Sequence, residues 1–240
     1  MATIVDRVVE PFLRDCDRLL GRGYSAVLYG SLVRGEYAEG WSDVNLLLIL
    51  ESAAPEVLRA LTSPFAGWAR SHQPPPLVHT LAEWRRASDV FPVEITDIRG
   101  AYRVLRGEDP LADVQVERSE LRVALERDLR GRLLRLRQGF VALAGDPGAL
   151  AGLARDTAPS VLVLLRTALT LAGAQIPPTR ADTVSAAGLV IGFSPDALKE
   201  ILAHIGDGAW NCSFETYSGY LAAVEATVRY VDHLSTGDLS

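Results

Sequence analysis

The chain has 240 residues, of which 48% are hydrophobic and 22% are charged. This composition supports a good core, in one large domain or two small ones, and excludes disorder on a large scale. The formal net charge of −6 argues against a general nucleic-acid or anionic-membrane binder, because such proteins usually present a net basic surface.

The first half of the chain alternates between helix-like and strand-like segments. Apolar residues at three-to-four spacing predict an amphipathic helix over Ile4–Leu20, and the charges within it are not typical of a signal peptide. The runs SAVLYG and DVNLLLIL are short, apolar and rich in branched residues, which predicts two buried strands. We then expect a helix over about Pro55–Arg70, a strand at LVHT, a short helix around Trp84 and a strand at FPVEITDI.

The second half has a helical character from about Pro110 onward. A long first helix is predicted by a stripe of leucines between Leu121 and Leu136. Three more helices are predicted, over Ser160–Ala172, Asp196–Ile205 and Phe214–Leu234. The turn GEDP separates the halves, so we expect domains at residues 1–108 and 109–240.

Two further composition features bear on location and redox state. The most apolar segment, SVLVLLRTALTLAGA, is interrupted by Arg166 and is shorter than the roughly 20 residues of a membrane span, which favours a buried helix. Cys16 and Cys212 lie far apart without metal-ligand spacing, so they indicate neither a disulfide framework nor a zinc site. We expect a cytoplasmic protein with no membrane partner.

The segment with the most chemical information joins the first two predicted strands. The first strand ends in Gly30-Ser31, and glycine lets a phosphate approach the backbone while serine donates a hydrogen bond. The second opens with Asp43-Val44-Asn45, and strand alternation places the two polar side chains on one face. Magnesium is commonly held by such oxygen ligands together with substrate phosphates, so the segment predicts a phosphate and metal site.

This segment resembles the nucleotidyltransferase superfamily, whose motif is Gly-Ser, often extended to Gly-Ser-x-x-Arg-Gly, followed after a gap by Ser-Asp-x-Asp on the next strand. The matching residues in this sequence are Gly30, Ser31, Arg34, Gly35, Ser42, Asp43 and Asn45. The resemblance covers roughly residues 20 to 105 in detail. The helical second half is similar in architecture to the helical domain that follows the catalytic domain of aminoglycoside nucleotidyltransferases.

The resemblance implies an α+β fold, in which a small mixed β-sheet domain flanked by helices precedes an all-α helical bundle. It also implies transfer of a nucleoside monophosphate from a nucleoside triphosphate, with ATP expected, to a hydroxyl group. Asp43, Asn45 and Glu94 would hold two Mg²⁺ ions, and Glu94 would also be the general base. Ser31 and Arg34, with Gly30, would bind the triphosphate. The acceptor would be a hydroxylated small molecule or a protein; nucleic acid is not expected, and a homodimer is left open.

Two residues leave alternatives open. Asn45 stands where the family usually has aspartate, and its neutral amide oxygen should bind a magnesium ion more weakly. The alternative function is therefore a catalytically impaired protein of the same fold that acts as a nucleotide sensor or partner-binding module. Asp97 competes with Glu94 for the place of the third carboxylate. The four histidines, including His72, fit no ligand pattern and are expected to be structural or at the surface.

Overall fold

The computed structural model describes residues 3–234, which form two compact units. The first unit contains the described residues up to Val90 together with Ile98–Gln115. The second contains Phe91–Asp97 together with the described residues from Val116 onward. The predicted boundary between residues 108 and 109 stays a prediction.

The first unit combines a four-stranded sheet with short helices. Its strands are β1 (Tyr24–Tyr29), β2 (Asn45–Leu50), β3 (Leu77–Thr80) and β4 (Tyr102–Arg106). The chain enters through a π-helical turn, Val5–Val9, which continues into α1. Its helices are α1 (Glu10–Leu20), α2 (Ser31–Arg34), α3 (Pro55–Ala60), α4 (Thr62–Ala69) and α5 (Leu81–Arg86). Helix α6 (Pro92–Gly100) is divided between the units: its residues up to Asp97 belong to the second unit and the rest to the first.

The sheet has the strand order β3-β2-β1-β4 and is mixed. Strand β1 pairs antiparallel with both β2 and β4, whereas β2 pairs parallel with β3. In the β1–β2 register Tyr29 lies opposite Asn45, so the end of the first strand meets the start of the second. This register determines where the predicted phosphate and metal residues come together.

One face of the sheet packs against α1 and α4. The shared core of this face contains Leu28 and Leu46 from the strands and Leu13 from α1, all at most 1% exposed. Phe12 and Trp68 join it with their rings at an edge-to-face distance of 5.1 Å. The three-to-four spacing of the apolar residues in α1 therefore buries one side of that helix, as the sequence predicts.

The second unit is a helical bundle with its own core. Its helices are α7 (Arg118–Leu143), α8 (Pro147–Leu171), α9 (Arg180–Ile191), α10 (Asp196–Ala203) and α11 (Phe214–His233). Among the described residues α8 alone has the length and apolar content of a membrane span, and half of its most apolar stretch is buried inside the bundle. The leucine stripe of α7 is buried against α8 and α11, which confirms the helix predicted from that stripe.

The fold class is confirmed: a small mixed sheet with helices precedes a helical bundle. One element was predicted wrongly, because FPVEITDI forms helix α6 instead of a strand. Pro92 suits the first turn of a helix, and Ile95 and Ile98 are buried at helical spacing. Over eight residues this spacing is hard to distinguish from strand alternation.

Other differences concern elements that the sequence patterns miss. Helix α8 begins at Pro147 rather than Ser160, because the Asp146 carboxylate accepts hydrogen bonds from the first backbone N–H groups and the helix continues through Pro159. Because proline usually interrupts a helix, Pro159 led the sequence prediction to miss the part of α8 that precedes it. Helix α9 and the edge strand β4 were not predicted at all.

Candidate functional site

Gly30 occupies the turn between β1 and α2 and has a backbone conformation that favours glycine. Its φ is 80° and its ψ is −147°. A Cβ atom at this position would stand 3.0 Å from Nδ2 of Asn45. Glycine is therefore required both by the backbone angles and by the close approach of the Asn45 side chain.

Ser31 begins the short helix α2. The carbonyl of Gly30 accepts the backbone N–H groups of Val33 and Arg34, each at 3.1 Å. Gly35 ends the helix in the left-handed conformation and donates its N–H to the carbonyl of Ser31. The Gly-Ser-x-x-Arg-Gly segment is thus one tight helical turn that presents Ser31 at its start.

The Arg34 side chain lies beside Gly100, at the end of α6. Both terminal guanidinium nitrogens are 3.4 Å from the position that a Cβ on Gly100 would occupy. A side chain at position 100 would therefore displace the guanidinium group of Arg34. The predicted role of Arg34 in binding a triphosphate stays a prediction.

Asp43, Val44 and Asn45 alternate as predicted at the start of β2. Val44 is fully buried in the core between the sheet and α1. Asp43 is exposed and Asn45 is half-buried, so neither side chain joins that core. Asp43 therefore lies two residues before the strand end at which Asn45 meets Gly30.

The loop before Asp43 is closed by a pair of hydrogen bonds between two residues. The backbone N–H of Ala38 donates to Oγ of Ser42 at 3.0 Å, and the N–H of Ser42 donates back to the Ala38 carbonyl at 2.8 Å. The serine of the Ser-Asp pair thus has a local structural role. It fixes the approach of the chain to Asp43.

A cavity of about 450 Å³ opens beside Asp43. Its lining includes Tyr37, Trp41 and His72, and Trp41 is 56% exposed. Burial raises the pKa of the Tyr37 hydroxyl, and the negative charge of Glu39 raises it further. The cavity therefore combines aromatic surface with hydrogen-bonding groups next to the predicted site.

His72 and Gln73 are site neighbours that sequence reasoning did not identify. His72 has a φ of 58°, the left-handed conformation that non-glycine residues seldom adopt. The side-chain Oε1 of Gln73 accepts the backbone N–H of Val44 at 2.7 Å. Because the two residues are 29 positions apart in the chain, no local sequence pattern could predict this contact.

Glu94 and Asp97 lie on helix α6, in the residues that belong to the second unit. Glu94 is exposed and Asp97 is half-buried. Because they are three residues apart on a helix, they share one face, whereas a strand would have separated them. The choice between them as the third carboxylate stays a prediction.

The first unit offers few oxygen ligands for a metal ion, so a bound nucleotide would have to supply the others. Within residues 3–234 no group of three or more histidine, cysteine, aspartate or glutamate side chains is placed to hold a metal ion. Asp43 offers one carboxylate and Asn45 one amide oxygen. Magnesium is often held by one or two carboxylates plus substrate phosphates, so these residues fit the ion when a triphosphate supplies the remaining oxygens.

Comparisons with known proteins agree with the fold. Residues 9–105 match the family model of the nucleotidyltransferase domain. A search of curated protein sequences gives no match. Among solved structures, the fold is similar to that of the spectinomycin adenyltransferase AAD(9) from Enterococcus faecialis, solved with ATP and spectinomycin. The TM-score is 0.55 at 12% sequence identity, over 93% of this chain and 99% of that chain.

Proposed function

We propose, because residues 9–105 match the nucleotidyltransferase domain, that the protein transfers a nucleoside monophosphate from a nucleoside triphosphate to a hydroxyl group. The observation that carries the proposal is the meeting of two strand ends. Gly30 and Ser31 end one strand, and Asn45, preceded by Asp43, begins the strand beside it. The residues proposed to bind phosphate and metal thus lie at neighbouring strand ends, which supports the proposal.

In the proposed reaction the acceptor oxygen forms a bond to the α-phosphorus of the triphosphate as the bond to pyrophosphate breaks. Ser31 binds a phosphate oxygen through its hydroxyl, and Gly30 leaves room for that oxygen to approach the backbone. Arg34 is proposed to bind the triphosphate through its guanidinium group. Glu94 is proposed as the base that takes the proton from the acceptor hydroxyl.

Asp43 and the amide oxygen of Asn45 would hold magnesium, with Glu94 as the proposed third ligand. When bound, the metal supplies positive charge that offsets the charge on the triphosphate and on the departing pyrophosphate. Because Asn45 is neutral, we expect metal affinity to be low in the free protein and to rise when nucleotide is present. Two ions are expected in the active complex.

ATP and a small hydroxylated acceptor are the proposed substrates. AAD(9), a protein of similar structure, was solved with ATP and spectinomycin, which supports this pair of substrate classes. A protein hydroxyl is the other acceptor in the proposal. A cytoplasmic location, where nucleoside triphosphates are abundant, belongs to the same proposal.

The second candidate function is a nucleotide sensor or partner-binding module that has lost transfer activity. Asn45 favours it, because this residue removes one negative charge from the predicted metal site. The two functions differ in what aspartate at this position would do. In an impaired enzyme, Asn45→Asp would restore a negative charge to the metal site and raise the transfer rate. In a protein whose site no longer binds metal, it would not change activity.

The test incubates labelled nucleoside triphosphates with Mg²⁺ or Mn²⁺ and an acceptor panel that includes spectinomycin, and measures label transfer and pyrophosphate. We expect transfer by the native protein, its loss in Asp43→Ala, and a higher rate in Asn45→Asp. Calorimetry with ATP, with and without metal, is run on the same three proteins. Nucleotide binding that is independent of metal, without transfer in any of them, would establish the sensor instead.

A further inference from the structure

Gln73 holds the backbone between the two polar residues of the predicted metal site. Its side-chain Oε1 lies 2.7 Å from the backbone nitrogen of Val44, which donates the hydrogen bond. Val44 stands between Asp43 and Asn45 in the chain. A shift of this peptide would therefore move both side chains at once.

The parallel pairing of β2 and β3 explains why a side chain makes this contact. Leu47 pairs with Leu77, and the same register carried back three residues places Val44 opposite Pro74. Residues 74 to 76 are all proline, and β3 begins only after them. Because the pairing with β3 begins only at Leu77, the N–H of Val44 lies beyond the ladder, and the Gln73 side chain is its acceptor.

Gln73 is itself held by the protein core. The indole N–H of Trp68 donates to the carbonyl of Pro74 at 2.7 Å. Trp68 is 3% exposed and packs edge-to-face against Phe12 of α1. The backbone N–H of His72 also donates to the carbonyl of Ala69 at 3.1 Å. The loop that carries Gln73 is thus fixed from both sides and can resist movement of Val44.

Val44 has a second attachment, through its side chain. That side chain is fully buried with α1. The hydrogen bond that Val44 donates to Gln73 restrains the remaining freedom of the peptide, which is rotation about its flanking bonds. Asp43 is exposed, so its direction depends on the backbone that carries it rather than on surrounding packing.

We propose that Gln73 is a positioning residue of the nucleotide and metal site, which sets the directions of Asp43 and Asn45 through the N–H of Val44. Its effect on catalysis rests on the proposed nucleotidyl transfer. Groups that orient metal ligands commonly change metal affinity or activity by about 10–100-fold when they are replaced. We expect a loss of that order when Gln73 loses its acceptor oxygen.

The experiment compares Gln73→Leu, which keeps the size and removes the acceptor, with Gln73→Glu, which keeps an acceptor oxygen at the same reach. Gln115→Leu, at an exposed glutamine of the same unit, is the matched control. Hydrogen exchange at the Val44 amide is measured by NMR in each protein. Mn²⁺ affinity in the presence of ATP is measured by electron paramagnetic resonance, together with kcat and the KM for the acceptor.

We expect Gln73→Leu to speed Val44 exchange by about tenfold or more and to weaken Mn²⁺ affinity and kcat, with little change in the acceptor KM. Gln73→Glu should retain slow exchange and metal affinity. The proposal is overturned if Gln73→Leu behaves like Gln115→Leu. It is also overturned if Gln73→Glu is as impaired as Gln73→Leu, since the contact would then be packing alone.

The two proposals fail in different ways. If the native protein neither binds Mn²⁺ with ATP nor transfers nucleotide, the proposed function is wrong. The hydrogen-exchange rate of the Val44 amide and the NMR shifts of the Asn45 side-chain NH₂ group then show whether Gln73 positions the two residues. A change in both with Gln73→Leu, absent from Gln73→Glu, supports positioning, and no change in either overturns it.

Discussion

The side-chain nitrogen of Asn45 lies 3.0 Å from the position that a Cβ on Gly30 would occupy. The two residues belong to adjacent strand ends and leave no space for another atom between them. The predicted phosphate-binding turn thus approaches the predicted metal-binding segment so closely that a side chain at position 30 would press against Asn45. A substitution at either residue should therefore alter the conformation of the other.

Gly30→Ala should destabilise the protein and disturb the site together. The new methyl group meets Asn45, and the backbone at φ 80° and ψ −147° is strained for any residue with a Cβ. We expect a loss of about 1–3 kcal/mol in the free energy of unfolding. Urea denaturation measures the loss, and calorimetry with ATP should show weaker binding.

Gly35→Ala is the matched control for this prediction. Gly35 also has a positive φ, 76°, but a Cβ there would enter open space. The cost should then be backbone strain alone, roughly 1–2 kcal/mol, with little change in nucleotide affinity. Equal effects of the two substitutions on nucleotide affinity would show that contact between Gly30 and Asn45 has no part in binding.

Arg106 should be a stabilising residue of the edge strand β4. Its Nη2 lies 3.0 Å from Glu10 and its Nε lies 3.1 Å from Asp17, both of α1, and its side chain is only 28% exposed. Hydrogen bonding to Glu10, with a further contribution from Asp17, raises the pKa of Arg106. Arg106→Met should cost about 1–2 kcal/mol in unfolding free energy, because two charged hydrogen bonds are lost.

Arg18→Met provides the comparison for Arg106. Arg18 pairs with Asp15 within one helix turn, and its side chain is 76% exposed. Such pairs contribute little, so a change within about 0.5 kcal/mol is expected. If both substitutions cost the same in urea denaturation at moderate salt, the attachment of β4 to α1 by Arg106 is not a stabilising feature.

Arg106 also shows why β4 was not predicted from the sequence. The strand contains two arginines and no fully buried residue, so it lacks the apolar pattern that revealed β1 and β2. Its place in the sheet depends on pairing with β1, about 80 residues earlier, and on ion pairs to α1. Local patterns cannot report contacts of that range.

The site was predictable to the extent that it follows one continuous motif. Gly30, Ser31, Asp43 and Asn45 lie within sixteen residues, and strand alternation alone places the last two on one side of the chain. Gln73 reaches Val44 from a loop after α4, and His72 lies beside it in that loop with a φ of 58°. The contact between Gln73 and Val44 joins residues 29 apart in the chain, so no local pattern could predict it.

Stability should fall at alkaline pH because of the buried thiol of Cys16. Burial raises its pKa from an ordinary value of 9.0 to about 12. The unfolded chain therefore loses this proton near pH 9 while the folded protein keeps it. The stabilising contribution is complete below pH 9 and is lost progressively between pH 9 and about 12.

Cys16→Ala isolates that contribution. Near pH 10 the native protein should lose about 1.4 kcal/mol per pH unit more steeply than the variant. Cys212, whose pKa burial raises to about 11, remains in both proteins and serves as an internal reference. Urea denaturation from pH 8 to 10.5 measures both slopes, and equal slopes would contradict the assigned burial of the Cys16 thiol.

His72 should be replaceable only by residues that accept a left-handed backbone. At φ 58° a residue with a Cβ costs roughly 1–2 kcal/mol relative to the usual regions, least for asparagine and most for β-branched residues. We expect His72→Asn to change the free energy of unfolding by less than about 0.5 kcal/mol and His72→Val to lower it by roughly 1–2 kcal/mol. Urea denaturation of the three proteins checks this order, and an equal loss in both variants would show that the imidazole rather than the backbone angle is responsible.

Because His72 is exposed and lines the cavity beside Asp43, His72→Asn also separates the effect of the imidazole on stability from its effect on transfer. A stable His72→Asn protein with reduced transfer would assign the imidazole to the site, whereas unchanged transfer would limit His72 to the shape of the loop that carries Gln73.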